Sequence, residues 1–337
     1  MDSSVTVDSS LLAHTVRFSL YNSPYAAHNR GCAIDLYPGT LADGRTTVAP
    51  SPVSGTVLET RTVRAPAKPY APEHDHLVLL SCDGPQPVAG LVARILHVDP
   101  DVEPGEYVDA GDSLGTLVRA GFFAPWVDNH LHVGFRTPDQ NHHRASGSLE
   151  LSLGLDVTPL EWDGTGTVIE TGDTYAVLDA PIHPAPGTAF VGIAAKRHGG
   201  AETGTAGQIE TTTAGQSETS AGETMAATAG VLDGGLPHYE GGGFLECGTK
   251  KSSDRTEGHA ARDTVSLLGT NLGSVDGRTI TWGDVTVTAN GTPITGLSCF
   301  CARDGGFGAK LICPDHDLER GTRVCVGIDT EEHQEKI

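Results

Sequence analysis

A chain of 337 residues with 43 acidic against 22 basic side chains carries a net charge of -21. That field repels nucleic-acid phosphates and anionic lipid, so nucleic acid and membrane are both excluded as expected partners. Hydrophobic residues are 38% and aromatics 5%, with 43 glycines and 20 prolines, a balance that favours many short strands and tight turns over long helices.

The chain opens on Met1-Asp2-Ser3-Ser4, which lacks the basic region of a signal peptide. No apolar run approaches the ~18–20 residues of a membrane span. The expectation is a cytoplasmic protein, and its acidic, lysine-poor usage fits a high-salt cytoplasm. Thr15 to Leu20 alternates polar and apolar residues and reads as a strand. Next, Gly31 permits a turn, and Cys32 to Leu36 reads as a strand with Asp35 near one end. His28 in the preceding loop and Asp35 on the strand can clasp one ion from two directions.

Thr47 to Leu58 reads as strand pieces broken by Pro50, Pro52 and Gly55. His76 to Ser81 and Leu91 to Val98 are apolar runs consistent with two further strands, the second ending at His97. Ahead of the first, His74 and His76 would share a face, and a solvated strand start is the plainer reading of His74-Asp75-His76. Val102 to Val118 places Pro-Gly and Ala-Gly-Asp turns around short apolar pieces, as in a compact all-β unit. A loop over 119–129 carries Phe122, Phe123 and Trp126 into Asn129-His130-Leu131-His132-Val133-Gly134-Phe135. As a strand, this puts His130 and His132 on one face, roughly 7 Å apart. One imidazole can then hold a metal while its neighbour handles a proton. His142-His143 reads as exposed loop.

Past residue 145, β-like pieces recur at 149–155, 166–170, 174–178 and 189–195. Residues 198–230 are almost wholly Gly, Thr, Ala, Ser, Glu and Gln, and read as a disordered linker or insertion. Beyond them, short strands over 264–269, 279–282, 285–288 and 323–328 alternate with turns such as Asn290-Gly291. The second domain, residues 146–197 and 231–337, is expected to be a small antiparallel sandwich through which a protein partner can dock. Gly241-Gly242-Gly243 reads as a turn. Cys299, Cys301, Cys313, His316 and Cys325 match no standard zinc spacing and read as reduced core thiols with a stray histidine. Seven cysteines, an odd number, argue against a complete disulfide framework.

The order His28, Asp35, His97, His130-x-His132 resembles the lysostaphin-type (LytM, or M23) zinc metallopeptidases over roughly residues 25–137. Val48-Ala49-Pro50 with Gly55-Thr56-Val57 is similar to that family's paired strands, and Gly105 to Gly115 to its glycine-punctuated stretch. The His28–Asp35 spacing is similar to that of the related D-Ala-D-Ala metallopeptidases and hedgehog-type domains. The resemblance implies an all-β, barrel-sandwich N-terminal domain over 1–145 with one Zn2+ on His28, Asp35 and His132. It also implies His97 and His130 as catalytic residues hydrolysing an amide in a peptide or peptide-like substrate. Two other readings stand beside it. One is a protein of this fold that binds without turnover, to which the Val127-Asp128-Asn129 lead-in lends weight. The other is a lipoyl- or biotinyl-carrier-like domain, for which Lys68 is the one lysine between Thr47 and Leu117.

Overall fold

The computed structural model describes residues 4–39, 47–199, 227–246 and 262–330. Apart from the single-turn helix Ala26–Asn29, its regular structure is strand, in the two units expected. No helix among the described residues is long and apolar enough to cross a membrane.

The N-terminal unit is built on an antiparallel sheet. Its order is Tyr107–Val108, Gly55–Arg64, His74–Cys82, Val92–Leu96, Leu131–Arg136, Ile34–Tyr37 and Arg17–Ser19. Alternation divides its two faces cleanly. Ile34, Leu36, Val78, Leu80, Ala93, Ile95, Leu131, Val133 and Phe135 all point into one core and are at most 1% exposed. Removing each larger one from water contributes roughly 1.5–3 kcal/mol, which is what pins the register. The opposite face carries Asp35, Asp75, Arg94, Leu96 and His132. A three-stranded sheet of Val48–Pro50, Ser113–Leu117 and Val98–Pro100 packs into the same core. The two motif stretches therefore pair with each other. Gly115 (φ +136°) makes one such contact possible, since a Cβ there would lie 2.0 Å from the Asp99 carbonyl oxygen.

The strand read over 149–155 belongs to this unit, because Leu151–Leu153 pairs in parallel with Val5–Val7. The strand read over 91–98 is interrupted at His97, whose φ of +73° breaks it into Val92–Leu96 and Val98–Pro100. His28 lies on the helical turn rather than in open loop.

A closed six-stranded barrel occupies the C-terminal unit, where a sandwich was expected. Phe190–His198, Thr228–Leu236, Gly241–Glu246, Thr279–Trp282, Thr270–Asp276 and Asp263–Leu267 pair in a ring that returns to Phe190–His198. Closure leaves none of these six strands as a free edge. The expected disordered stretch 198–230 falls mostly on residues 200–226, outside the described residues; the flanking strands reach His198 and begin at Thr228. Gly241 to Gly243 start a barrel strand rather than a turn. A Cβ on Gly243 would lie 2.1 Å from the Tyr21 ring, and one on Gly242 2.2 Å from Trp282. Glycine here admits aromatic rings, including one from the other unit.

The two units share a sheet. Arg17–Ser19 pairs with Cys301–Ala302, which in turn meets Phe190–His198. The site-bearing sheet thus runs without a break into the C-terminal unit.

Candidate metal centre

Register brings the site together. His132 lies opposite Asp35 on one side and Leu96 on the other, so the next residue beyond Leu96, His97, arrives beside it. His28 comes from the helical turn, and its Nδ1 is 2.7 Å from the Leu20 carbonyl oxygen. Donating that proton leaves the Nε2 lone pair facing inward. His28 Nε2 is 3.0 Å from His132 Nδ1 and 3.3 Å from Asp35 Oδ1, and His132 Nδ1 is 3.0 Å from the same oxygen. Two imidazole nitrogens and a carboxylate oxygen converged like this can share protons among themselves, and they are equally a donor set that a cation at their centre would engage together. A tetrahedral first-row ion with ligands at 2.0–2.2 Å sets them ~3.3 Å apart, close to what is seen. Among the described residues, these three are the one such convergence of ligand atoms.

His130 precedes His132 by two residues and is 3% exposed. Its Nδ1 is 2.8 Å from the Asp128 carbonyl oxygen, and its Nε2 is 3.4 Å from Asp35 Oδ1. Phe123 stacks on the ring at 4.4 Å and meets His97 edge-on at 4.6 Å, closing the apolar side of both imidazoles. His97 is 5% exposed, and its Nδ1 is 2.6 Å from Asp75 Oδ2. Asp75 is fully buried, with its other oxygen accepting the His76 amide at 2.8 Å. The five residues singled out from sequence therefore stand in one cluster, and a sixth, Asp75, orients one of them.

Charge in the cluster is set by burial and by neighbours. Burial pushes the Asp35 carboxyl up, but the surrounding imidazoles of His130, His28 and His132 outweigh it and hold the group well below its usual range. Burial takes His132 down to about 4 against the pull of Asp35. Burial also lowers His97, despite the Asp75 carboxylate beside it. At neutral pH, His97 is thus a neutral imidazole with its proton on Nδ1 and its lone pair on Nε2.

The C-terminal unit supports this arrangement. Asp233, fully buried, accepts from the Ser19 hydroxyl, from Leu20 N at 2.7 Å and from Tyr21 N at 3.3 Å. It therefore fixes the segment whose carbonyl holds His28. Burial raises the Asp233 carboxyl to about 6, even with these three donors. Asp128 bridges Arg17 and Lys310, the latter at 3.2 Å, while its carbonyl fixes His130. The Val127-Asp128-Asn129 lead-in thus has a positioning task. Asp35, His97, His130 and His132 form one wall of a cavity of about 440 Å³ that is also lined by Tyr25, Phe122, Arg94 and, from the barrel, Tyr239.

His74 is exposed and His76 half-buried, so the residue between them, Asp75, is the one that faces the site. His143 lines the cavity, with Arg61 Nη1 3.2 Å from its Nδ1. Cys299, Cys301 and Cys313 are buried and outside any disulfide, Cys325 is exposed rather than in the core, and His316 is spent on the carbonyls of Gly172 and Tyr175. Lys68 is exposed in the connection between the two longest strands of the N-terminal sheet and does not line the cavity.

Residues 6–153 match the N-terminal domain, and residues 158–329 the C-terminal domain, of one family described as a domain of unknown function (DUF8155). No curated protein and no solved structure matches the chain. The junction at 153–158 falls just after the Leu151–Leu153 strand, where the N-terminal unit ends. With its C-terminal match alone spanning more than half of the 337 residues, the chain belongs to the DUF8155 family.

Proposed function

We propose that this protein is a zinc-dependent hydrolase acting on a peptide or amide bond. The observation that carries the reading is the set of separations of 3.0, 3.0 and 3.3 Å among His28, His132 and Asp35, beside two further histidines on a cavity wall. Two neutral nitrogens and one carboxylate oxygen are a donor set suited to a catalytic zinc with an open position. The resemblance to lysostaphin-type metallopeptidases, and the order of the five residues along the chain, support the same reading.

Bound zinc would supply Lewis acidity, polarising a carbonyl and easing loss of a proton from water at neutral pH. His97 Nε2 then receives that proton as water's oxygen bonds to the carbonyl carbon. Asp75 holds the ring through Nδ1 and stabilises the imidazolium that results. His130, fixed by the Asp128 carbonyl, stands beside His97 with the ring centroids 5.3 Å apart, and when protonated on both nitrogens it donates its Nε2 proton to the developing oxyanion. The C–N bond breaks as the leaving nitrogen takes the proton that His97 Nε2 had received, and an acid and an amine are released. Phe122 and Phe123 keep bulk water from the imidazoles.

A peptide library incubated with zinc-loaded protein tests this by mass spectrometry. Cleavage products from the native protein, absent with His97→Ala at equal zinc content, are expected. A zinc-loaded protein that cleaves nothing would instead be the binding scaffold of the same fold.

A further inference from the structure

Three arginines, Arg61, Arg64 and Arg94, line the cavity beside the histidine cluster, and Asp35 is its one acidic lining residue. In a chain with 43 acidic and 22 basic side chains, this is a local reversal of charge. Arg94 is the unusual member. It is 8% exposed, yet no carboxylate lies within 4 Å of it among the described residues. Its Nε donates to the His142 carbonyl at 3.2 Å. Burial, then the nearby Arg136, lowers its guanidinium to about 10, which leaves it charged at neutral pH. A largely buried guanidinium on a cavity wall, with no carboxylate within ion-pair distance among the described residues, is costly unless an anion visits it.

Its place relative to the metal cluster is set by register. Arg94 lies opposite Gly134, two residues along the strand from His132, so the two side chains leave the same sheet face about 7 Å apart. The space directly over Gly134 is taken by Ser148, whose Oγ lies 2.7 Å from where a Cβ would stand, and both Arg94 and His132 line the cavity beside it. Beyond Arg94 that face is shut, because Val92 is 3% and Arg136 1% exposed and neither lines the cavity. Arg136 closes it by gathering the carbonyls of Asn141, Arg144 and Ser146, which folds the 141–148 loop over the strand.

We infer that Arg94 is a specificity residue that receives the free carboxylate at the end of a peptide chain, making the substrate one cleaved within a residue or two of its C-terminus. This rests on the hydrolase reading for the cleavage step, though the carboxylate subsite itself needs no metal. A planar guanidinium fork matches the two oxygens of a carboxylate, and a cavity that ends at the fork leaves no path for further chain.

The probes are N-acetyl-glycylglycine, its C-terminal amide, and N-acetyl-glutamyl-glycinamide, which carries its acid on a side chain. Each is titrated by NMR into native, Arg94→Met and Arg94→Lys protein, with and without zinc. The native protein is expected to bind the acid about tenfold or more tightly than the amide. Arg94→Met should erase that preference with its affinity for the amide unchanged, and Arg94→Lys should keep a reduced one. No acid preference in the native protein, or a preference that survives in a folded Arg94→Met, overturns the inference. Should Arg94→Met not fold, an undiminished preference in Arg94→Lys overturns it equally. Tighter binding of the glutamyl amide, or displacement by inorganic phosphate at lower concentration than by the acid, overturns the chain-end assignment. Zinc content is measured on the same samples. Acid preference in zinc-free protein supports the subsite even if the metal reading fails.

Discussion

The two faces of the Val92–Leu96 and Leu131–Arg136 strand pair are made by alternating residues of the same short segments, yet they do unrelated work. On one face Ala93, Ile95, Val133 and Phe135 are sealed in the core with no polar atom among their side chains. On the other, beside the apolar Val92 and Leu96, Arg94 and the incoming His97 are largely buried and His132 is half-buried, and each of these three polar side chains is held by a hydrogen-bond partner. The comparison teaches that burial alone does not mark a stabilising residue. The apolar face defines the backbone geometry, and the polar face uses that rigidity to hold groups that would otherwise prefer water.

Substitutions on the polar face should damage chemistry first. In the proposed hydrolysis, His97→Ala should lower kcat by about 10²–10⁴-fold, the usual contribution of a positioned general base, with zinc content unchanged in the folded protein. Asp75→Asn should cost about 10–100-fold through loss of ring orientation, with zinc content unchanged. Equal activity in native and Asp75→Asn would dissociate Asp75 from His97. The apolar face should behave in the opposite way. Ile95→Ala should cost roughly 2–5 kcal/mol of stability in urea unfolding, with zinc binding intact in the fraction that remains folded.

How much of this was legible in the sequence follows from the same alternation. The His130–His132 parity and the apolar runs around Val78 and Ile95 are period-two patterns that any strand reading recovers. Asp75 was hidden by its flanking histidines. Only its parity with Leu77 and Leu79 turns it inward, and only the pairing of Leu77 with Leu96 brings it to His97. Arg94 was hidden because a charged residue in an apolar run reads as the solvated side of a strand. Asp233 was out of reach altogether, since its role depends on the pairing of Arg17–Ser19 with Cys301–Ala302, nearly the whole chain apart. The barrel was missed for a similar reason: Gly241 to Gly243 read as a break, whereas they are small because Tyr21 and Trp282 lie against them.

Asp233 sharpens the comparison from the C-terminal side. Its folded carboxyl is raised to about 6 from an ordinary 3.8, so folding favours its protonated form. The stability this contributes is full below about 3.8 and lost as pH rises through about 6. The difference in unfolding free energy between native and Asp233→Asn should therefore shrink from pH 4 to pH 6, by up to about 3 kcal/mol. A difference that grows over that range would contradict the buried-carboxylate account. The smallest effect concerns the surface as a whole. Screening of the net charge of -21 should raise the thermal midpoint by a few degrees in molar KCl, and a flat response would argue against a high-salt setting.

The central claim is that His28, Asp35 and His132 hold one metal ion. Elemental analysis of protein purified without chelator and equilibrated with zinc tests it, run beside His132→Ala. The account predicts one zinc per chain in the native protein and none in the folded variant. Native protein without zinc, or a variant that retains it, would contradict the account.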